Sequence, residues 1–262
     1  GKWLKEQGME VMRGPMNFST NEECGLLIDA FHLPPVVMMT YNPPYYVRLV
    51  EGYGFKKAKD LLAYKRTDME MPEKVRKVVE YIKRKRRVVV RPIDFGKLDE
   101  EVAKLREVYN DAWERNWGFV PMTEEEFSYI AKQLKEIAIP DLALIAEVDR
   151  RAVGFSLTIP DVYQALIHID GRLTPLNIAK LLWYMKKITA ARVITMGIVK
   201  DYRYKGIDTV FYYDTFVNGT KRGYKWAELS WILEDNVPIR EVMKQVGAFV
   251  YKTYRIYDKG LV

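Results

Sequence analysis

The chain has 262 residues, of which 48% are apolar, and a formal net charge of +7. No stretch reaches the roughly 18 consecutive apolar residues of a membrane-spanning helix, and no signal-peptide pattern opens the chain. The single cysteine, Cys24, cannot form an intramolecular disulfide, and together with His32 and His168 it shows no metal-ligand spacing. We therefore expect a cytoplasmic protein without a metal, whose positive charge suits an anionic partner.

The densest positive charge is the run Lys83-Arg-Lys-Arg-Arg87. Such a run can bind nucleic acid or an acidic partner, but it also suits the solvated C-terminal end of a helix, where the helix dipole favours cations. No nucleic-acid recognition motif accompanies it. We favour the helix end and expect no nucleic-acid partner.

The first quarter of the chain predicts short elements. Residues 3–8 predict the end of a helix that closes at Gly8, and residues 9–13 alternate like a strand. Residues 36–41 predict a short strand, residues 45–51 a helix, and residues 55–65 a second strand. Because no helix start precedes residue 3, we expect further residues upstream of Gly1 in the full protein.

Part of this pattern returns near the C-terminus. Asn42-Pro-Pro, followed after ten residues by Phe55, matches Asn236-Val-Pro, followed after ten residues by Phe249. Each copy has a glycine near its helix end and leads into a strand rich in Tyr and Lys. The ordered agreement over 194 residues of separation predicts an internal repeat.

The middle of the chain predicts alternating helices and strands. We expect helices over 72–86, 98–115 and 123–137, the last opened by a capping box at Thr123 and Glu126, and strands over 88–93, 141–148 and 153–159. Trp113, Trp117 and Phe119 predict an aromatic cluster, either a pocket wall or core. Residues 161–190 end in an amphipathic helix over 176–188 and could cover a substrate site.

The chain is organised around residues 191–214. Residues 193–199 are apolar and β-branched like a buried strand, residues 200–206 form a basic turn that ends in Gly206, and a helix follows. The first N–H groups of a helix have no intrahelical partner, and the helix dipole adds positive charge there. A glycine turn before such a helix, with Arg203 and Lys205, predicts a site for phosphate or pyrophosphate, although an ordinary solvated turn has the same pattern.

The spacing Arg203-x-x-Gly206-x-Asp208 resembles the (Arg/Gln)-x-x-Gly-x-(Gly/Ala) loop of the GNAT acyl-CoA N-acyltransferases. The resemblance implies a mixed α/β fold and acetyl-CoA or another acyl-CoA as co-substrate. It also implies that the loop binds the pyrophosphate and that the preceding strand pairs with pantetheine. The implied cofactor-binding residues are Ile198, Val199, Arg203, Tyr204, Lys205, Gly206, Ile207, Asp208 and Asn236. Asp208 departs from the small residue of the family.

The repeated motifs Asn42…Gly54-Phe55 and Asn236…Gly247-Ala-Phe249 both resemble the last part of a GNAT domain. Residues 1–66 thus resemble the C-terminal half of one domain, 67–87 a linker helix, and 88–262 a complete second domain. The whole chain is similar to a prokaryotic group of tandem GNAT-like proteins. Gly14-Pro-Met-Asn-Phe-Ser, Met39-Thr-Tyr-Asn-Pro-Pro-Tyr-Tyr46 and Asn116-Trp-Gly-Phe-Val-Pro121 carry that similarity.

Acyl transfer to an amine needs positioning, a proton acceptor and stabilisation of the developing charges. The backbone near Ile198 and Val199 would polarise the thioester carbonyl. Candidate catalytic side chains are Glu147, Glu228, Glu234 and Tyr254. The tyrosine that many GNAT enzymes use as general acid is missing, since Met243 and Lys244 occupy that region.

Three functions remain open at the level of sequence. The favoured one is an acyl-CoA-dependent N-acyltransferase, with acetyl transfer to a primary amine as its simplest form. A non-catalytic GNAT fold that binds acyl-CoA or a protein partner is the alternative, because of Asp208 and the missing tyrosine. A nucleic-acid binder comes third. The amine acceptor stays unnamed, and a homo-oligomer is compatible with the sequence.

Overall fold

The computed structural model describes residues 1–261. Along the chain these residues form nine helices and nine strands, together with three short 3-10 turns: α1 (Lys2–Glu6), β1 (Val11–Gly14), β2 (Leu26–Leu27), α2 (Tyr45–Gly52), β3 (Lys56–Arg66), α3 (Glu73–Arg86), β4 (Val88–Pro92), α4 (Leu98–Trp113), α5 (Glu124–Lys135), β5 (Ala143–Val148), β6 (Arg151–Pro160), α6 (Tyr163–Leu166), α7 (Pro175–Met185), β7 (Ala190–Ile198), α8 (Ile207–Lys221), β8 (Trp226–Leu233), α9 (Val237–Gln245) and β9 (Phe249–Gly260). The fold class is mixed α/β with a mixed sheet, as the sequence predicted.

The chain divides into two compact units. The first comprises residues 1–65, 117–120 and 229–262, and the second comprises residues 66–116 and 121–228. The chain passes from the second unit to the first within β8. Helix α3, predicted as a linker, belongs to the second unit. The division into units does not test whether residues 1–66 are half of one GNAT-like domain and residues 88–262 a complete second one. These boundaries stay a prediction.

In the first unit, β9 is the long central strand. It pairs antiparallel with β3 on one edge and with β1 and β2 on the other. Both copies of the predicted repeat lie here, since α2 leads into β3 and α9 leads into β9. Gly54 and Gly247 both have positive φ, 93° and 73°, as residues that end a helix often do.

The predicted strand over 36–41 is wrong. Val36, Val37 and Met39 are buried, but the segment is a turn in which Met38 has a φ of 59°. The strand that pairs here is β2 instead, and the Asn42 amide satisfies its outer edge. Asn42 Oδ1 accepts from the Leu27 N–H at 2.8 Å, and Asn42 Nδ2 donates to the Leu27 carbonyl at 3.1 Å. One side chain therefore takes the place of a neighbouring strand.

The two asparagines of the repeat have different roles. Asn42 is buried and holds β2, whereas Asn236 is the N-cap of α9 and accepts from the Ile239 N–H at 3.4 Å.

Cys24 is also buried, and burial raises the pKa of its thiol to about 12. The thiol is therefore protonated at neutral pH and belongs to the core.

In the second unit, β4, β5, β6 and β7 form an antiparallel sheet in that order. The hairpin between β5 and β6 turns at Asp149 and Arg150, which both have positive φ as a type I′ turn requires. The capping box of α5 is present, with the Thr123 side chain accepting from the Glu126 N–H and Glu126 accepting from the Thr123 N–H. Helix α3 packs along α8, and Lys83 pairs with Asp214 at 2.8 Å.

An ion-pair network around the buried Glu101 ties α4 to this sheet. Arg91 on β4 donates to Glu101 on α4 at 2.9 Å and to Glu147 on β5 at 2.6 Å. Burial acts to raise the pKa of Glu101, but the hydrogen bonds and charge of Arg91 outweigh it, so that the pKa lies below the usual value of 4.5. The same bonds raise the pKa of Arg91.

Among residues 1–261, no helix is both long and apolar enough to cross a bilayer. The described part of the chain also holds no group of three or more His, Cys, Asp or Glu side chains arranged for a metal ion.

Candidate active site

The candidate site lies in the second unit, where β7 ends and α8 begins. A β-bulge interrupts the pairing of β7 with β6, because Leu157 lies opposite Thr195 whereas the next residue, Thr158, lies opposite Val193. Ile194 is the extra residue. A bulge bends its strand and increases the local twist. Strand β7 is therefore bent at Ile194, four residues before it ends at Ile198 and the basic turn begins.

Strand pairing gives different roles to the backbone N–H groups of Ile198 and Val199, the two residues predicted to polarise a carbonyl. The Val199 N–H donates to the Val153 carbonyl at 3.0 Å, so its donor is already used. Backbone groups of successive residues in an antiparallel strand point to opposite edges. The Ile198 N–H, whose residue lies opposite Gly154, is consequently directed away from β6. Of the two, Ile198 is the residue whose donor faces the edge of β7 on the side of β8.

The turn after β7 is held by α4. A 3-10 turn covers Lys200–Tyr202, and the Lys200 N–H donates to Asp111 Oδ1 at 2.7 Å. Arg203 Nη2 donates to the Ala112 carbonyl at 2.7 Å, and Arg203 Nε donates to the Ile198 carbonyl at 3.4 Å. Arg203 therefore connects the last turn of α4 with the end of β7, and it satisfies a helix C-terminal carbonyl.

Gly206 closes the turn and is the N-cap of α8. Its φ of 83° lies in the left-handed region, which a side chain rarely adopts. A Cβ built at Gly206 would lie 2.6 Å from Cδ1 of Ile82 on α3. The residue before the turn's last lysine, Tyr204, also has positive φ and is 92% exposed. The start of α8 thus has no side chain at Gly206 and packs against Ile82 of α3.

Helix α8 is anchored by its buried residues Ile207, Val210 and Phe211. Gly206 has no side chain that could cap the helix, so the first N–H groups of α8 are available to an anion. Lys205 Nζ lies 4.3 Å from the centre of the Tyr202 ring and adds positive charge beside them. Burial raises the pKa of Tyr212. The negative charge of Asp208, one helical turn earlier on α8, raises it further.

The residues present fit coenzyme A. A left-handed glycine that rests against Ile82 of α3, a helix start without a side-chain cap, and a strand bent by a bulge are compatible with a pyrophosphate and an extended pantetheine. Near the strand end, the Thr195 hydroxyl is buried without a hydrogen-bond partner among residues 1–261, as are those of Ser156 and Thr158 on β6.

Two curated proteins align with nearly the whole chain. Protein YghO of Escherichia coli (strain K12) is 37% identical over 270 residues, which span 99% of this chain and 68% of that protein. A bacterial ceramide synthase of Caulobacter vibrioides is 38% identical over 270 residues, which span 99% of this chain and 69% of that protein. No protein-family model matches the chain.

Solved structures show the fold. A GCN5-related N-acetyltransferase from Sphaerobacter thermophilus superimposes with a TM-score of 0.52 at 18% identity, over 86% of this chain and 57% of that one. A tandem GNAT protein from the clavulanic acid biosynthesis pathway gives 0.52 at 10% identity, over 99% of this chain and 66% of that one. The chain belongs to the family of YghO and the bacterial ceramide synthase, and it has the GNAT fold.

The predicted cofactor-binding residues of this chain fall in both units. Ile198, Val199 and residues 203–208 are contiguous around the start of α8 in the second unit. Asn236 belongs to the first unit, where it caps α9. Its role at the cofactor stays a prediction.

The predicted catalytic residues have partners of their own. Glu147 accepts from Arg91 at 2.6 Å, and Glu234 accepts from Lys57 at 2.6 Å and from the Asp60 N–H at 3.0 Å. Tyr254 is fully buried in the first unit. Glu228 is fully buried on β8, with Arg192 Nε 3.7 Å from its Oε1.

The aromatic residues predicted as one cluster separate between the units. Trp113 stacks on Tyr109 with ring centres 4.6 Å apart, and its ring fills the space where a Cβ at Gly197 would lie. Trp117 belongs to the first unit, where Arg13 lies 4.6 Å from its ring centre. Trp113 therefore packs directly against the end of β7.

Sequence reasoning missed the residues that support the loop. Asp111, Ala112 and Ile82 come from helices that precede the loop by about 90 to 125 residues. The apolar stripe of α3 indicated that Ile82 packs against something, but its partner is a tertiary contact.

Proposed function

We propose that this protein transfers an acyl group from acyl-CoA to a primary amine. The observation that carries the proposal is Gly206, a left-handed N-cap that opens α8 directly behind the bent end of β7. It supports a pyrophosphate site at the place where GNAT enzymes have theirs. Because the chain spans about two thirds of its two curated relatives, the activity of the whole protein is part of this proposal.

In this proposal each part of the loop has one task. The first N–H groups of α8 and the ammonium of Lys205 bind the pyrophosphate. Arg203 is a positioning residue, since its bonds to Ala112 and Ile198 hold the turn open. Ile198 pairs with the pantetheine through its outward N–H. Asp208 lies near Tyr212, and in this proposal it does not contact the pyrophosphate, which is bound by the backbone N–H groups.

The bound co-substrate supplies a thioester, which an amine attacks directly. A C–N bond forms, the C–S bond breaks, the thiolate of coenzyme A leaves, and the amine loses one proton. For this proton we favour Glu228 among the four candidates. Its strand β8 is the neighbour of β7 in the sheet, and its carboxylate lies 3.7 Å from Arg192 Nε on β7. The ion pairs of Glu147 and Glu234, both at 2.6 Å, are shorter than this one.

As acceptor we propose a long-chain amino lipid, with a long acyl-CoA as donor. Support comes from the 38% identical relative, whose name describes the synthesis of a ceramide, an N-acylated long-chain base. Acetyl transfer to a small amine, the simplest form predicted from the sequence, uses the same site and differs in chain length alone.

A single assay separates these possibilities. The purified chain is incubated with acetyl-, octanoyl- or palmitoyl-CoA and with a sphingoid base or a small primary amine, and thiol release and amide product are measured. We expect repeated turnovers with palmitoyl-CoA and the sphingoid base. Glu228→Gln should lower kcat at least tenfold while coenzyme A affinity stays within about twofold, as loss of one general base predicts.

Two results would contradict parts of the proposal. Turnover with acetyl-CoA and small amines alone would replace the lipid substrate by the shorter one. Binding of coenzyme A without turnover for any pair would favour the alternative, a non-catalytic GNAT fold that binds acyl-CoA.

A further inference from the structure

The segment between β6 and β7 presents large apolar side chains to solvent. Helix α7 has no buried residue at all. Five side chains of this segment are between 53% and 78% exposed, and we call them the apolar face: Ile167, Leu173, Leu176, Leu182 and Trp183. Clustered exposure of this kind marks an interaction surface, in contrast to single exposed apolar residues, which are normal.

The orientation of α7 is determined by its opposite face. Tyr184 stacks on His168 of the turn after α6, with ring centres 3.6 Å apart. Asn177 Nδ2 donates to the Arg172 carbonyl at 2.9 Å and to the Ile169 carbonyl at 3.3 Å. Leu182 lies on the side of the helix opposite these residues, whereas Leu176 and Trp183 lie beside them, with the Trp183 and Tyr184 ring centres 4.8 Å apart. All three side chains are exposed.

Cations surround the apolar face. Arg172, Lys180, Lys186 and Lys187 are exposed, and Asp170 is the one acidic residue from 166 to 187. Lys187 Nζ lies 3.2 Å from the centre of the Trp183 ring. Tryptophan and leucine that enter the acyl boundary, flanked by lysines whose stems reach up to the headgroups, are the side chains of a helix lying in a membrane interface.

We propose that residues 166–187 bind the surface of an anionic lipid bilayer, with the apolar face in the interface and the four cations on the headgroups. The same charges argue against a second copy of this chain as the occupant. A two-fold contact would bring the four cations of each copy onto the equivalent patch of the other, where like charges repel. The surface is independent of the acyl-transfer reaction, since binding to vesicles needs neither coenzyme A nor an amine.

The experiment is flotation of the purified chain with vesicles of phosphatidylcholine, with or without about one third phosphatidylglycerol. The wild type should float with the anionic vesicles and bind several-fold less in high salt. Leu182→Gln/Trp183→Gln should lower the partition coefficient at least tenfold, since two apolar side chains no longer enter the interface. The matched control, Trp3→Gln/Leu49→Gln, removes a similarly exposed pair on α1 and α2 and should bind like the wild type.

A second pair of variants tests the charge. Lys180→Glu/Lys187→Glu should lower binding to anionic vesicles at least tenfold, whereas Arg84→Glu/Arg86→Glu, at the basic end of α3, should retain most of it. Circular dichroism and thermal melts establish that each variant is folded.

The proposal is overturned if the wild type stays unbound, or if the matched controls lose as much binding as the test variants. It is likewise overturned if the wild type is a dimer that Leu182→Gln/Trp183→Gln converts to a monomer without vesicle binding. In that case the apolar face is a contact between copies. Catalytic turnover without vesicle binding would leave the proposed function intact and remove this inference alone.

Discussion

Gly206 is the residue where one added carbon should affect the loop most. Gly206→Ala places a methyl group 2.6 Å from Ile82 Cδ1 on a backbone with a φ of 83°. A left-handed alanine costs about 1–2 kcal/mol before any clash is counted. We expect coenzyme A affinity, measured by calorimetry, to fall at least tenfold.

Gly171→Ala is the matched control for this change. Gly171 has a φ of 68° but open space around its would-be Cβ, so it carries the same backbone strain without the clash. Its affinity should stay near that of the wild type. Adding Ile82→Ala to Gly206→Ala should recover part of the loss. Unchanged affinity of Gly206→Ala would remove the start of α8 as the pyrophosphate site.

The single residues show where local reasoning succeeds. The positive φ of Gly206 and the N-cap of Asn236 follow from residue chemistry that a short window of sequence contains. The contacts of Arg203 do not follow in this way, because its side chain donates to Ala112, 91 residues earlier. Anion binding by Arg203 stays a prediction.

At the scale of elements, the Arg91 network joins α4 to β4 and β5. Arg91→Met would leave the buried carboxylate of Glu101 with Lys104 as its remaining ion-pair partner, at 3.3 Å. Removing one partner of a fully buried pair costs about 3–5 kcal/mol, and Lys104 together with the partial exposure of Arg91 reduces that cost. We expect the free energy of unfolding at pH 7, measured by denaturant titration, to fall by about 2 kcal/mol.

The same network gives a pH dependence. The pKa of Glu101 is lower in the folded protein than its usual value of 4.5, so the ion pair stabilises the fold above that pH. This contribution is lost as the pH falls through the lowered pKa and Glu101 becomes protonated. The cost of Arg91→Met should therefore shrink in acid. An equal cost at pH 7 and at acid pH would show that Arg91 acts by packing alone.

Element types were predictable because their signals are local. The helical stripe of α3, the capping box of α5 and the turn residues of the β5–β6 hairpin each lie within a few positions of the element they form. The segment over 36–41 was not predictable in this way. Its apolar run suits a strand, but Val36, Val37 and Met39 are buried in a turn, and tertiary burial of this kind has no local signal.

For the whole molecule, coenzyme A binding should act as a stabilising ligand. At a concentration 100 times its dissociation constant, a ligand that binds the folded state alone adds about 2.7 kcal/mol. Hydrogen exchange should show the added protection at residues 196–210 of the second unit. Gly206→Ala at the same concentration should show little of it. If coenzyme A stabilises the protein but does not protect residues 196–210 from exchange, the cofactor site lies elsewhere in the chain.

The sequence by itself determined most of the helices and strands, the mixed α/β fold and the glycine loop before α8, because periodicity, caps and a glycine turn are encoded within short windows. That this loop binds an anion stays a prediction. Only the tertiary structure decided what surrounds that loop. Ile82 supports Gly206 from α3, and Ala112 receives Arg203 from α4, across separations of 124 and 91 residues. It also decided which backbone N–H of β7 is already used, because that follows from strand register. Such contacts depend on how the elements pack, and packing between distant segments leaves no periodic signal in the chain.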